Sequence, residues 1–174
     1  MRDGARSREA LIPSSETDVD VTIEIRLLAS GDDGVLGHVA EDVFDNPVDP
    51  VLAHEFLQDP RHHLAVAIDN GVVVGFASAV HYVHPDKPPQ LFINEVAVAP
   101  THRRLGLGRA MVRLLLDVAR SHRCTEAWVL TDRSNTAARA LYASAGGTEG
   151  ADREGPSDKT LGYTFVLDTQ SVRA

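Results

Sequence analysis

Cys124 is the only cysteine in the 174 residues. Neither a disulfide framework nor a cysteine-built structural zinc site can therefore form within one chain. Long apolar runs are missing too: no stretch approaches the ~20 residues that a membrane-spanning helix needs. The first twenty residues carry charges throughout and have no apolar segment of the kind a secretory leader contains. With a single cysteine, this leads us to expect a cytoplasmic protein. Positive charge is also in short supply, with 17 Lys and Arg against 25 Asp and Glu, a net of −8. Such a balance argues against nucleic acid as a partner and for a cationic one, although a surplus of acids also simply keeps a protein soluble. The surplus survives removal of residues 1–20, expected to be an N-terminal tail, which leaves 14 basic and 20 acidic residues.

With 43% apolar residues, the remainder is large enough for one packed domain, expected over residues 21–174. Val21 to Leu28 alternates and is rich in β-branched residues, as a strand would be. Val35, Leu36, Val39, Ala40, Val43 and Phe44 predict one face of a helix. Pro50 behind Asp49 predicts a second short helix ending before Pro60. Leu64 to Asp69 and Val72 to Val83 flank Asn70-Gly71, the dipeptide of two-residue type I′ hairpins. Further strands are predicted over Leu91 to Ala99, Ala127 to Thr131 and Leu161 to Asp168. Leu107, Met111, Leu114, Leu115 and Val118 form the apolar stripe of a helix over Leu107 to Arg120. Ser134 or Asn135 can cap another running to Ala145, with Gly146-Gly147 ending it. The order β-α-α-β-β-β-α-β-α-β is that of a mixed α/β sheet.

The chemistry concentrates between Val96 and Arg109. There an apolar strand is followed by Pro-Thr-His-Arg-Arg-Leu-Gly-Leu-Gly-Arg. Gly106 and Gly108 sit where a turn becomes a helix, and helix N-termini offer free N–H groups and partial positive charge to an anion. Six arginines and one acid fall between Arg103 and Arg123, a local inversion in an acidic chain that points to a polyanionic ligand. A P-loop is excluded by the lack of Gly-Lys-Ser/Thr, and a dinucleotide fold by the lack of a third glycine.

Arg103-x-x-Gly106-x-Gly108 after an apolar strand resembles the acetyl-CoA pyrophosphate loop of the GNAT superfamily of N-acetyltransferases. Asn135-Thr-Ala-Ala-Arg-Ala-Leu-Tyr142 followed by Gly146 is similar to the family's second cofactor segment. Gly146-Gly147 stands where family members often have Gly-Phe, a departure expected to loosen the helix exit. Phe92-Ile-Asn-Glu-Val-Ala-Val98, after a proline-rich loop, resembles the aminoglycoside 3-N-acetyltransferase branch, which carries an acid at the place of Glu95.

The resemblance implies the GNAT acetyltransferase fold and acetyl-CoA as cofactor. It places that cofactor on Val96, Ala97, Val98, Arg103, Arg104, Leu105, Gly106, Leu107, Gly108, Arg109 and Asn135. The backbone near Val98 would hold the thioester carbonyl. A homodimer is implied by the same analogy. The expected activity is acetyl transfer to an amine of an aminoglycoside, at its 3-amino group, by direct attack in a ternary complex. The alternatives are another amine acceptor (a polyamine, an amino acid or a protein amine) and a non-catalytic acyl-CoA-binding module.

Acetyl transfer needs a group to take the amine's proton and one to protonate the leaving thiolate. Glu95 is the candidate base, its alternative being a carboxylate that only binds a cationic substrate. Tyr142 is the candidate acid, its alternative being a core tyrosine. Leu27 to Pro60 contains no Lys or Arg but eight acids, which predicts either an acidic acceptor groove or a solvated face. Asp45, Asn94, Glu95, Asp132 and Asp168 are the expected acceptor-binding residues. No metal is expected. The pairs His62-His63 and His81-x-x-His84 lack ligand spacing, since residues three apart on a strand point to opposite faces.

Overall fold

The computed structural model describes residues 23–150 and 159–168. The expected tail and the first two residues of the expected first strand lie outside them. Strand β1 (Glu24–Leu28) is followed by helix α1 (Pro50–Gln58), strands β2 (His62–Asp69), β3 (Val72–Tyr82) and β4 (Gln90–Val98), and helix α2 (Leu107–Ser121). Strand β5 (Glu126–Asp132), helix α3 (Thr136–Ser144) and strands β6 (Thr148–Gly150) and β7 (Thr160–Val166) complete the order. Among the described residues no helix is long and apolar enough to cross a membrane.

The local chemistry explains most of these elements. Asp49 caps α1, its carboxylate accepting from the N–H groups of Val51 and Leu52, with Pro50 in the first turn. Asn70 and Gly71 turn the β2–β3 hairpin with φ of 48° and 80°, the two positive values that a type I′ turn demands. Asn135 caps α3 by accepting from the N–H of Ala138 at 3.0 Å. Gly146, at φ 99°, ends α3 in the left-handed region.

The helix predicted over Val35 to Phe44 does not form. A 3₁₀ turn over Asp33–Gly37 replaces it, because Gly31, Gly34 and Gly37 weaken helical propagation and the sheet claims the next stretch of backbone. The N–H of Ala40 donates to the carbonyl of Val73 at 2.9 Å, and that of Val73 to the carbonyl of His38 at 2.8 Å. Phe44 then stacks on Phe76 at 4.0 Å between ring centres, and Val43 is buried.

The seven strands lie in the order β1-β2-β3-β4-β5-β7-β6. All neighbours are antiparallel except β4 and β5. Two irregularities decide which side chains share a face. The β2–β3 register shifts between Ala67 and Ile68, and the β3–β4 register shifts so that Ser78 faces Glu95 while Ala79 faces Ile93. Asn94 is the extra residue of that second bulge, and Asn94 and Glu95 are consecutive exposed residues where the alternation of Gln90 to Ile93 stops. β4 and β5 pair over only four positions, Gln90 with Glu126 through Ile93 with Val129.

Between the sheet and α2, Met111, Leu115, Leu91 and Ile93 are fully buried, while Val66 and Phe76 are buried on the opposite face, where Phe44 stacks on Phe76. Each such side chain contributes roughly 1.5–3 kcal/mol by leaving water. The apolar stripe predicted for α2 is the face that it buries.

The expectation of loose packing at the exit of α3 is corrected. A Cβ on Gly147 would lie 2.9 Å from two ring atoms of Phe165 and 3.0 Å from the carbonyl of Tyr142. The Phe165 ring of β7 thus fills the space from the opposite strand. Gly147→Ala should destabilise the fold by about 1–3 kcal/mol through overpacking, read as a lower urea midpoint at unchanged slope; an unchanged midpoint would show that this ring yields freely.

Candidate active site

Beyond Ile93 and Val129, β4 and β5 diverge. One edge of Glu95 to Val98 remains paired with β3, while the other has no strand partner among the described residues. Buried backbone groups require partners, so this open edge is a place where an extended, amide-bearing molecule can add as a strand does. Its Val96–Val98 stretch forms one wall of a groove of about 1010 Å³, whose other walls are the start of α2 and one face of α3; Glu95 stands just outside this lining.

The turn at the head of the groove is built from backbone that favours glycine. Gly106 (φ 79°) is the N-cap of α2 and supplies no side-chain cap; Arg104 is also left-handed, at φ 65°. The first intrahelical bond runs from Ala110 to the carbonyl of Gly106. The N–H groups of Leu107, Gly108 and Arg109 therefore precede the helical ladder, as at any helix start. The Nε of Arg103 donates to the carbonyl of Val98 at 3.2 Å, which ties the loop to the end of β4. Gly108 lets α3 approach, since a Cβ there would already touch Leu141 at 3.3 Å. Arg103, Arg104 and Arg109 surround this helix start and give it full positive charge for an anion.

Three acidic or phenolic groups gather further along. Tyr142, 5% exposed on α3, lines the groove. Burial, and secondly the charge of Glu95, pushes its phenol up to about 12. Glu95 is itself raised above the ordinary carboxylate range, first by desolvation and then by the charge of Asp45. Glu95 thus stands within electrostatic reach of both Asp45 and Tyr142. Glu95 owes its orientation to the bulge at Asn94, and Asp45 its position to the Phe44–Phe76 stack.

Val96, Ala97, Val98, Arg103, Arg104, Gly106, Leu107, Gly108, Arg109, Asn135 and Tyr142 all line the groove. Other expected site residues do not join them. Leu105 is outside the lining, its side chain 60% exposed. Asp132 staples the turn into α3, accepting from the N–H of Ser134 at 2.7 Å and from its hydroxyl at 2.5 Å. Asp168 lies past Val166, which faces Glu126 at the start of β5, so it sits at the far end of the sheet from the groove.

The acidic stretch from Leu27 to Pro60 also divides. Asp32 binds Arg26 at 2.9 Å, Asp33 the ring of His54 at 2.9 Å, and Asp59 Arg61 at 2.6 Å, while Asp49 is a helix cap. Asp42, in the left-handed region at φ 59°, lines the groove, which no spacing in the sequence could show. Gly106→Ala should cost about 1–2 kcal/mol from backbone strain alone, because no atom lies within 4 Å of the added Cβ. Urea unfolding reads this directly, and an unchanged midpoint would mean that the turn relaxes.

Comparison with known proteins gives this geometry a setting. The profile of the acetyltransferase (GNAT) family matches residues 35–146. The chain is 35% identical over 86 residues to L-2,4-diaminobutyric acid acetyltransferase of Nocardia farcinica, 49% of this chain and 44% of that protein. It is 34% identical over 104 residues to N-alpha-acetyltransferase RimI of Mycobacterium tuberculosis, 60% of this chain and 63% of that protein. It thus spans less than two thirds of either relative's length.

Two solved structures share the fold. A Salmonella typhimurium protein solved with its cofactor acetyl-CoA has a TM-score of 0.61 at 22% identity, over 86% of this chain and 96% of that one. An aminoglycoside acetyltransferase from an uncultured soil metagenomic sample, in complex with trehalose, has a TM-score of 0.60 at 18% identity, over 78% of this chain and 91% of that one. The family match takes in the splayed strand, the arginine-lined helix start and the tyrosine-bearing helix together, and the chain belongs to the acetyltransferase (GNAT) family.

Proposed function

We propose that the protein transfers an acetyl group from acetyl-CoA to the amine of a small cationic acceptor, both being bound at once. The observation that carries this reading is the splayed β4 edge, which runs from an arginine-ringed helix N-terminus to a buried tyrosine and two carboxylates. The residues suit the cofactor. The start of α2 with Arg103, Arg104 and Arg109 takes the pyrophosphate, the open edge of Val96 to Val98 takes the amide-bearing arm, and Asn135 lies beside it. Bound there, acetyl-CoA supplies a thioester reactive towards amines.

The protein's own groups do the rest. A backbone N–H near Val98 polarises the acyl carbonyl. Glu95 accepts the ammonium proton, directly or through water, and its raised affinity for protons suits that task. Its protonation also changes Tyr142. The Glu95 charge helps to hold the phenol proton, so neutralising Glu95 makes that proton easier to release as the thiolate departs. Acid and base are thereby linked: one takes a proton and the other gives one up more readily.

Two acceptor classes have separate support. A diamino acid is favoured by the nature of the Nocardia farcinica relative. An aminoglycoside, acetylated at its 3-amino group, is favoured by Asp42 in the lining of the groove, by the charge of Asp45 acting on Glu95 and by the metagenomic fold neighbour. Thiol release from acetyl-CoA should be measured with L-2,4-diaminobutyrate, kanamycin, gentamicin, spermidine and a lysine peptide. Turnover with a small polycationic amine is expected; cofactor binding without turnover on any of them would make this a binding module.

With the preferred acceptor, Glu95→Gln should lower kcat by about 10²–10⁴-fold. In the native protein kcat/KM should rise with pH through a Glu95 pKa above the ordinary carboxylate value, because the base works deprotonated. Glu95→Gln should abolish that rise. Tyr142 should impose no alkaline fall below about pH 12. An acid limb that persists in Glu95→Gln would assign the base to another group.

A further inference from the structure

Away from the groove, the fold gathers three histidines from three elements. His63 stands near the start of β2, His81 near the end of β3, and His122 is the C-cap residue of α2. The hairpin register pairs His63 with Ala79. His81, two residues on from Ala79, is therefore its diagonal neighbour on the same face. The neighbouring His62 points to the other face, where it stacks on Phe56 of α1 at 4.7 Å. The Nε2 of His63 and the Nδ1 of His81 are 2.8 Å apart, and the His122 ring lies over that of His81 at 4.1 Å. One ligating nitrogen from each of the three lies within 4.8 Å of the others.

We propose that His63, His81 and His122 form a binding site for a divalent transition-metal ion of the zinc class. The donor chemistry fits, since imidazole nitrogen is a preferred ligand of zinc, copper and nickel, and three protein ligands leave a fourth position for water. Two nitrogens held tetrahedrally at ~2.0–2.1 Å from one ion lie about 3.3 Å apart. The His63–His81 pair therefore needs to open by about half an ångström, and His122 needs to swing its ring out of the stack. His122 is exposed and at a helix end, so its ring is free to turn. His63 is buried and supplies the fixed anchor.

The positive charge that Arg61 brings to His81 is countered: Arg61, whose carbonyl accepts from the N–H of His81 at 3.0 Å, is held by Asp59 at 2.6 Å. Desolvation, with neighbouring imidazoles adding to it, pushes His63 down to about 4, which leaves a nitrogen lone pair for a metal at neutral pH. On binding, the proton shared between His63 and His81 moves off the line joining them, and each ring keeps its N–H on the nitrogen turned away from the ion. A bound ion would lock the β2–β3 hairpin to the far end of α2, about 22 Å along that helix from the anion-binding turn.

The test uses the untagged full chain, stripped with a chelator, and zinc as the probe. Calorimetric titration should give one equivalent per chain, and zinc should raise the Tm. His122→Ala, whose side chain supports no core packing, should weaken binding at least tenfold and abolish the Tm shift. His54→Ala, which alters an exposed histidine elsewhere, should change neither. Cobalt should give the visible absorption of a low-coordinate site in the native protein and lose it in His122→Ala. Absence of binding, or equal zinc affinity and equal Tm shift in native protein and His122→Ala, would overturn the proposal.

Discussion

Four backbone pairs join β4 to β5, and then the pairing stops. The groove exists because of this interruption. A continued ladder would have used the open edge of Glu95 to Val98 and left no room between α2 and α3. The departure of β4 also brings the Arg103–Gly106 turn over the gap, because the Arg103 side chain returns to the carbonyl of Val98. The arginine-ringed turn, the strand edge and the tyrosine thus share one cause, a sheet that opens in its middle.

Much of this was legible in the sequence because it depends on local chemistry. Asn70-Gly71 requires two positive φ values and obtains them, Asp49 and Asn135 cap the helices they precede, and the apolar stripe of α2 is the face it buries. The glycine-and-arginine turn was recognisable because few other uses exist for that combination after an apolar strand. What escaped was set by long-range register. A one-residue shift at Ala67/Ile68 changes which side chains of β2 and β3 share a face. Without it His63 would face Ser78 rather than Ala79, and His81 would point the other way. No count of residues along the chain reveals such a bulge, nor that His122 arrives from a helix to complete the cluster.

The helix expected over Val35 to Phe44 failed for a related reason. Its apolar periodicity is real, and Leu36 and Val43 are buried, but the burial comes from a bridge to Val73. The acidic segment was likewise legible in composition and not in use. Asp32, Asp33, Asp49 and Asp59 satisfy a guanidinium, an imidazole, a helix end and a second guanidinium. Of the segment's acids among the described residues, Asp42 lines the groove, and Asp45, beside the Phe44–Phe76 stack, acts on Glu95 by its charge. An excess of acids is therefore partly internal scaffolding, and the net charge overstates what a cationic ligand meets.

The seam in the sheet has a mechanical side. Strands β1 to β4 form an unbroken run of antiparallel pairs, whereas β5, β7 and β6 form a second patch that meets the first along four residues. Within the first patch β2, β3 and β4 follow one another through short connections, so closing them loses little chain entropy, whereas β1 joins β2 only through the long stretch that holds α1. The second patch is linked to the first through α2, which lies between β4 and β5 in the chain. A molecule laid into the gap would act as a further length of strand on the β4 edge, touching the start of α2 and α3 as well, since all three line the groove. Filling the groove would then brace β4, α2 and α3 against one another, three elements that otherwise meet around an open space.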